Sequence, residues 1–111
     1  MTAASPTSYV LLEVLRERRR QDAKWGEQNW PDGTGRKFQI NGSTIQEQAD
    51  DAKDWTDERA AKGKLTYRDI LSEEFMEALA ETESVGLRKE LVQVAAVAVA
   101  WVEKIDRRPV S

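Results

Sequence analysis

The residues of this 111-residue chain best suited to chemistry are carboxylates. Glu73, Glu74, Glu77 and Glu81 are clustered in sequence, and Glu90 and Gln93 follow. At about 100° per residue, Glu74 and Glu77 lie roughly 60° apart on one face of a helix. Glu90 and Gln93 share that offset. Two antiparallel helices joined by a short turn would bring these polar pairs together across one seam. Three carboxylates and an amide oxygen gathered there repel one another unless a cation lies among them. Mg²⁺, with Mn²⁺ as an alternative, suits such oxygen ligands. The competing reading is structural: glutamates favour helices and line solvated faces, and Glu90 also suits a first helical turn. Gln93 fits that reading least, because it heads an apolar stretch and needs a polar partner.

Composition narrows the chemistry further. The chain has no Cys and no His. Disulfides, thiolate nucleophiles, zinc fingers, His-ligated metals and Ser-His-Asp triads are therefore excluded. With 17 basic and 20 acidic side chains the net charge is −3. That balance argues against a nucleic-acid polymer as partner. The opening Met1-Thr2-Ala3-Ala4-Ser5-Pro6 lacks the basic and apolar regions of a signal peptide. The apolar run from Val94 to Val102 is too short to span a bilayer. A cytoplasmic protein that does not engage membranes is expected.

The elements that must position the carboxylates read as helices. Residues 1–7 are small and polar and are expected to be flexible. A single all-α domain is expected over 8–108. Helix one starts near Ser8, with Val10, Leu11, Val14 and Leu15 at helical spacing, and Gly26 is a natural stop. Residues 26–43 are rich in Gly, Pro and Asn and read as a long loop, the kind that carries function or lacks order. Ser43 or Thr44 caps helix two, whose narrow stripe is Ile45, Ala49, Ala52, Trp55 and Ala60; Lys62-Gly63-Lys64 closes it. Thr66 and Asp69 form a capping arrangement for helix three, which runs to about Thr82 with Leu71, Phe75, Ala78 and Leu79 on its apolar face. Ser84 to Gly86 is read as a turn, and helix four as about Leu87 to Arg107. From Leu91 to Val102 only Gln93 is polar. A helix that is apolar all round must be buried all round. A homodimer placing this helix near its centre is the simplest solution.

Glu73-Glu74-Phe75-Met76-Glu77, the twelve residues from Ala78 to Lys89, then Glu90-Leu91-Val92-Gln93 resemble the motif of the MazG-like nucleotide pyrophosphohydrolases. That family's pattern is E-E-x-x-E, a spacer, then E-x-x-D. The resemblance covers roughly residues 66–107. It implies a four-helix MazG-like bundle completed by homo-oligomerisation, as dimer or tetramer. It implies metal ligands at Glu74, Glu77, Glu90 and Gln93, with Glu73 as a water-activating residue. The implied reaction is hydrolysis of a (deoxy)nucleoside triphosphate to the monophosphate and pyrophosphate. Gln93 stands where the family has Asp, which removes one negative charge from the ligand set. Lys24-Trp25-Gly26-Glu27-Gln28 is similar to a Trp-containing segment near the nucleotide in relatives. It makes Trp25 a candidate to stack a base and Lys24 a candidate to meet a phosphate. Trp25 can equally pack helix one onto the bundle. Arg88, just before Glu90, is a further phosphate candidate. Two other readings stay open: a nucleotide-binding protein of the same fold without efficient turnover, and a non-catalytic helical interaction module.

Overall fold

The computed structural model describes residues 4–109. They form α1 (Pro6–Trp25), the short strands β1 (Gln39–Ile40) and β2 (Ser43–Thr44), α2 (Ile45–Ala61), α3 (Tyr67–Ala80) and α4 (Ser84–Asp106). The chain is thus mostly helical, and no helix among the described residues is long and apolar enough to cross a membrane. Two compact units are present: residues 33–98, and the residues before and after them.

In the terminal unit, α1 opens two residues earlier than Ser8. Ser5 caps it by accepting from the Ser8 N–H, and Pro6 occupies the first turn, where a missing N–H costs nothing. Pro6 and Thr7 are therefore helical; of the segment expected to be flexible, residues 1–3 lie outside the described residues. Thr7 Oγ1 donates to the Glu103 carboxylate of α4 (2.9 and 3.0 Å). The helix ends as expected at Gly26, whose positive φ of 68° suits glycine. Val10 is buried, whereas Leu11, Val14 and Leu15 are exposed.

The central unit is built on α2 and α3. The 26–43 segment is not wholly loop: β1 and β2 pair antiparallel, Gln39 opposite Thr44. Asn41 and Gly42 both have positive φ (54° and 84°), as a two-residue Asn-Gly hairpin turn requires. The Asn-Gly pair was the signal for it. Gln48 of α2 donates to the Ile40 and Ser43 carbonyls and holds the hairpin. Thr44 and Glu47 form a full capping box, and Thr66 and Asp69 another. Gly63 ends α2 in a Schellman arrangement: the Lys64 N–H reaches the Arg59 carbonyl and the Gly63 N–H reaches that of Ala60.

The core gathers Ile45, Ala49 and Ala80, with Met76 and Leu79 against them. The expected stripes hold only in part. Trp55 of α2 and Phe75 of α3 are about half exposed, at 52% and 49%, and Ala60 is exposed. Thr56 is buried in their place because its hydroxyl bonds the Asp69 carbonyl (3.2 Å). Asp69 is the clasp between the two helices. One carboxylate oxygen accepts from Trp55 Nε1 (2.9 Å), the other from the Thr66 N–H and hydroxyl, with Arg59 at 3.7 Å. These bonds, Thr66 first and Trp55 next, hold the Asp69 carboxyl below its ordinary value of 3.8.

Helix three stops at Ala80 rather than Thr82, because Glu81 takes an extended backbone as its C-cap. Helix four begins at Ser84, so Ser84 to Gly86 is its first turn and not the connection. A Cβ on Gly86 would meet the carboxylate of Glu81, so the glycine leaves room for the Glu81 side chain to fold onto the new helix. The single chain covers α4 on part of its surface only. Leu87 is buried and Val94 and Val97 half-buried, but Leu91 and Val92 remain 49% and 55% exposed.

Two stability tests follow. Gly63→Ala places a Cβ in the left-handed region and should cost about 1 kcal/mol in urea denaturation, with Gly63→Asn losing less. Asp69 has a depressed folded-state pKa, so its stabilisation is complete above the ordinary value and vanishes as pH falls through the lower folded one. Asp69→Asn should flatten the acid limb of a melting-temperature profile.

Candidate metal centre

Glu74 and Glu77 stand one turn apart on α3, and Glu90 faces them from α4. One carboxylate oxygen from each lies within 4.8 Å of the others, and all three residues are half-buried. Helix three is fixed at its start by the Thr66–Asp69 box and at its end by the Gly35 N–H, which donates to the Leu79 carbonyl (2.9 Å). The three-residue connection Glu81–Glu83 then returns the chain so that Glu90 reaches the opposing face.

The electrostatics are those of like charges crowded out of water. None of the three forms an ion pair within 4.0 Å among the described residues. Glu74 Oε2 and Glu90 Oε2 are buried without a hydrogen-bond partner. Burial, then the charges of Glu90 and Glu73, raise the Glu74 carboxyl above its ordinary value. Glu77 is pushed up to about 7, first by burial, then by repulsion from Glu74, Glu73 and Glu90, and last by a hydrogen bond with Glu90. Orphaned anionic oxygens cost free energy that either a proton or a cation can remove. The donor set, all carboxylate oxygen, fits a hard divalent cation.

The other sequence-derived candidates occupy distinct places. Glu73 is half-buried beside the cluster, close enough for its charge to act on Glu74 and Glu77 and also on Lys53 of α2. Gln93, one turn beyond Glu90, is half-buried and lines a groove of about 430 Å³ with Val85, Arg88, Lys89 and Val92. Arg88 therefore shares a groove with Gln93. In the terminal unit Trp25 is 65% exposed, with the Lys24 ammonium 4.8 Å from its ring centroid. The ring borders a groove of about 520 Å³ with Arg20, Gln21, Lys24 and Gln28. Glu81, grouped in sequence with the other helix-three glutamates, caps α3 instead. The Trp55–Asp69–Arg59 clasp, which steadies the carboxylate helix, was foreshadowed in sequence only by its Thr66–Asp69 box.

No family model, curated protein or solved structure matches this chain.

The raised Glu77 pKa has a definite sign. The folded state binds a proton between the ordinary value of 4.5 and about 7 that the unfolded state has released, so stability falls as pH rises through that window. In EDTA, the melting temperature should decline from pH 4.5 to 7. Glu77→Gln should remove most of that slope, and millimolar Mg²⁺ or Mn²⁺ should restore stability at pH 7 to the wild type alone. A flat wild-type profile, indifferent to metal, would contradict the assignment.

Proposed function

We propose that this chain is a cytoplasmic, metal-dependent nucleotide pyrophosphohydrolase of the MazG-like type, working as a homo-oligomer. It would convert a (deoxy)nucleoside triphosphate and water to the monophosphate and pyrophosphate. The observation that carries the reading is the convergence of Glu74, Glu77 and Glu90 with two buried carboxylate oxygens left unpartnered. These residues, joined by the Gln93 carbonyl oxygen, would hold Mg²⁺ or Mn²⁺. Bound there, the ion supplies Lewis-acid polarisation of phosphate oxygens and a lowered pKa for water. Glu73, beside the ligands but outside the tight cluster, is the residue assigned to orient the attacking water and accept its proton. Arg88 would offer charge to the phosphate chain, and the sequence resemblance alone assigns Lys24 to a phosphate and Trp25 to the base.

A second reading is favoured by one residue. Gln93 contributes no charge where the MazG-like pattern has Asp, so the ligand set carries three negative charges at most. A weaker ion would leave a nucleotide-binding protein of the same fold with little turnover.

Pyrophosphate release measured over common and modified nucleotides, with Mg²⁺ and with Mn²⁺, tests the proposal. Turnover should appear with at least one nucleotide and disappear in Glu74→Gln, Glu77→Gln and Glu90→Gln. Trp25→Ala should weaken nucleotide binding by about 1–3 kcal/mol, the worth of one stacked base. Gln93→Asp should tighten Mg²⁺ binding, read as a larger metal-induced rise in melting temperature than wild type shows. If Gln93→Asp is destabilised equally with and without Mg²⁺, the metal site is refuted and the interaction-module reading leads.

A further inference from the structure

Asn41 and Gly42 form the apex of the β1–β2 hairpin, and both are exposed. Their backbones sit at positive φ, 54° and 84°. The turn is braced from α2: Gln48 Nε2 donates to the Ile40 carbonyl (3.0 Å) and to the Ser43 carbonyl (3.3 Å), the residues that flank the apex. An asparagine followed by glycine carries an electrophile and a nucleophile side by side. The Gly42 nitrogen can close a five-membered ring on Asn41 Cγ, and glycine brings no Cβ to obstruct the approach. Nothing else crowds the apex, because even a Cβ built on Gly42 would meet no atom within 4 Å. The other asparagine, Asn29, precedes Trp30, whose bulk obstructs the same attack.

We infer that Asn41 is a site of spontaneous deamidation, and that the Gln48 brace sets the rate by holding the turn shut. Hydroxide removes the Gly42 amide proton. The nitrogen bonds to Asn41 Cγ, the bond from Cγ to the side-chain nitrogen breaks, and that nitrogen leaves as ammonia with a proton from water. Water then opens the succinimide at either of its carbonyls. Opening at Cγ leaves an aspartyl residue in the ordinary main chain. Opening at the main-chain carbonyl routes the chain through Cβ and Cγ as isoaspartate. Either way one water is consumed, one ammonia is released and one negative charge is gained.

The hairpin governs both the rate and the consequence. Ring closure swings the Gly42 nitrogen over Cγ, which rotates Asn41 out of the conformation that the two-residue turn imposes. The folded chain therefore reacts only while the hairpin is open, and each bond that braces it lowers that fraction. Aspartate tolerates the left-handed region, so the ordinary product keeps the turn. Isoaspartate lengthens the main chain by a methylene, and the two-residue turn no longer closes the ladder. The next bonds along the hairpin run from the Ile45 N–H to the Phe38 carbonyl (2.7 Å) and from the Gln46 N–H to the Arg36 carbonyl (3.1 Å), so these loosen first.

The test holds the full chain at physiological temperature in mildly alkaline buffer and digests samples with trypsin over time. Cleavage after Lys37 and Lys53 isolates the peptide that carries Asn41. It should gain the mass of an acid over an amide, placed at position 41 by fragmentation and including isoaspartate, while the peptide carrying Asn29 stays unchanged. Gln48→Ala should speed the conversion about fivefold, the equilibrium factor of one hydrogen bond. In urea the two chains should convert at one rate. The isoaspartyl chain, separated by anion exchange, should lose hydrogen-exchange protection at Ile45 and Gln46, whereas Asn41→Asp should keep it. A folded wild type that stays unconverted while the chain in urea converts would overturn the site. Equal rates for folded wild type and folded Gln48→Ala would overturn the brace.

Discussion

Like charges cannot be crowded together in a poorly solvated place without a counter-charge, and the Glu74–Glu77–Glu90 cluster imposes that condition on everything around it. A proton shared at Glu77 is the least demanding solution, and its raised pKa expresses it. A divalent cation would be the stronger solution, because it would neutralise more charge and give the buried oxygens a partner. Either way the two helices are joined through a site that repels them when it is empty of positive charge. Stability and ligand binding are therefore coupled at this seam.

Such a site works only if its helices are held by something else. Helix three is held from α2 by Asp69, which gathers Trp55, Thr66 and Arg59, and from the preceding loop by the Gly35 bond to Leu79. The core beneath is small, essentially Ile45, Ala49 and Ala80 with Met76 and Leu79, so polar clasps and caps carry an unusual share of the positioning. Carboxylates mounted on braced helices keep their spacing better than carboxylates on loops. Helix four presents Glu90 to the cluster and leaves the adjoining Leu91 and Val92 about half exposed. Both come from one run of residues, read at two angles around the same axis.

Much of the architecture was legible in the residues themselves. The Thr66–Asp69 box, the Gly26 stop and the Gly63 stop are local devices, and local devices act within one turn. The Asn41-Gly42 hairpin is equally local, but strands of two residues each are too short to show an alternating pattern. The misplaced junction near residue 84 has a different cause. Gly86 looks like a turn residue, but its lack of a side chain serves the close approach of Glu81, a contact that no helix propensity encodes. Trp55 and Phe75 have the spacing of core residues. They remain half exposed because Thr56 and Met76 face the neighbouring helix instead, and a small rotation of a helix about its axis settles that choice.

By itself, the sequence determined the helical class, the caps, the exclusion of Cys and His chemistry, and the offsets that put Glu74 beside Glu77 and Glu90 beside Gln93. These follow from composition and from the 3.6-residue turn, which act within a segment. Only tertiary structure decided that Glu74, Glu77 and Glu90 converge while Glu81 turns away to end α3, and that two of the carboxylate oxygens are left without partners. It also decided which side of the apolar α4 is covered and which is left bare. Those outcomes depend on how segments distant in sequence are rotated and seated against one another, and on the water removed between them, which no single segment specifies.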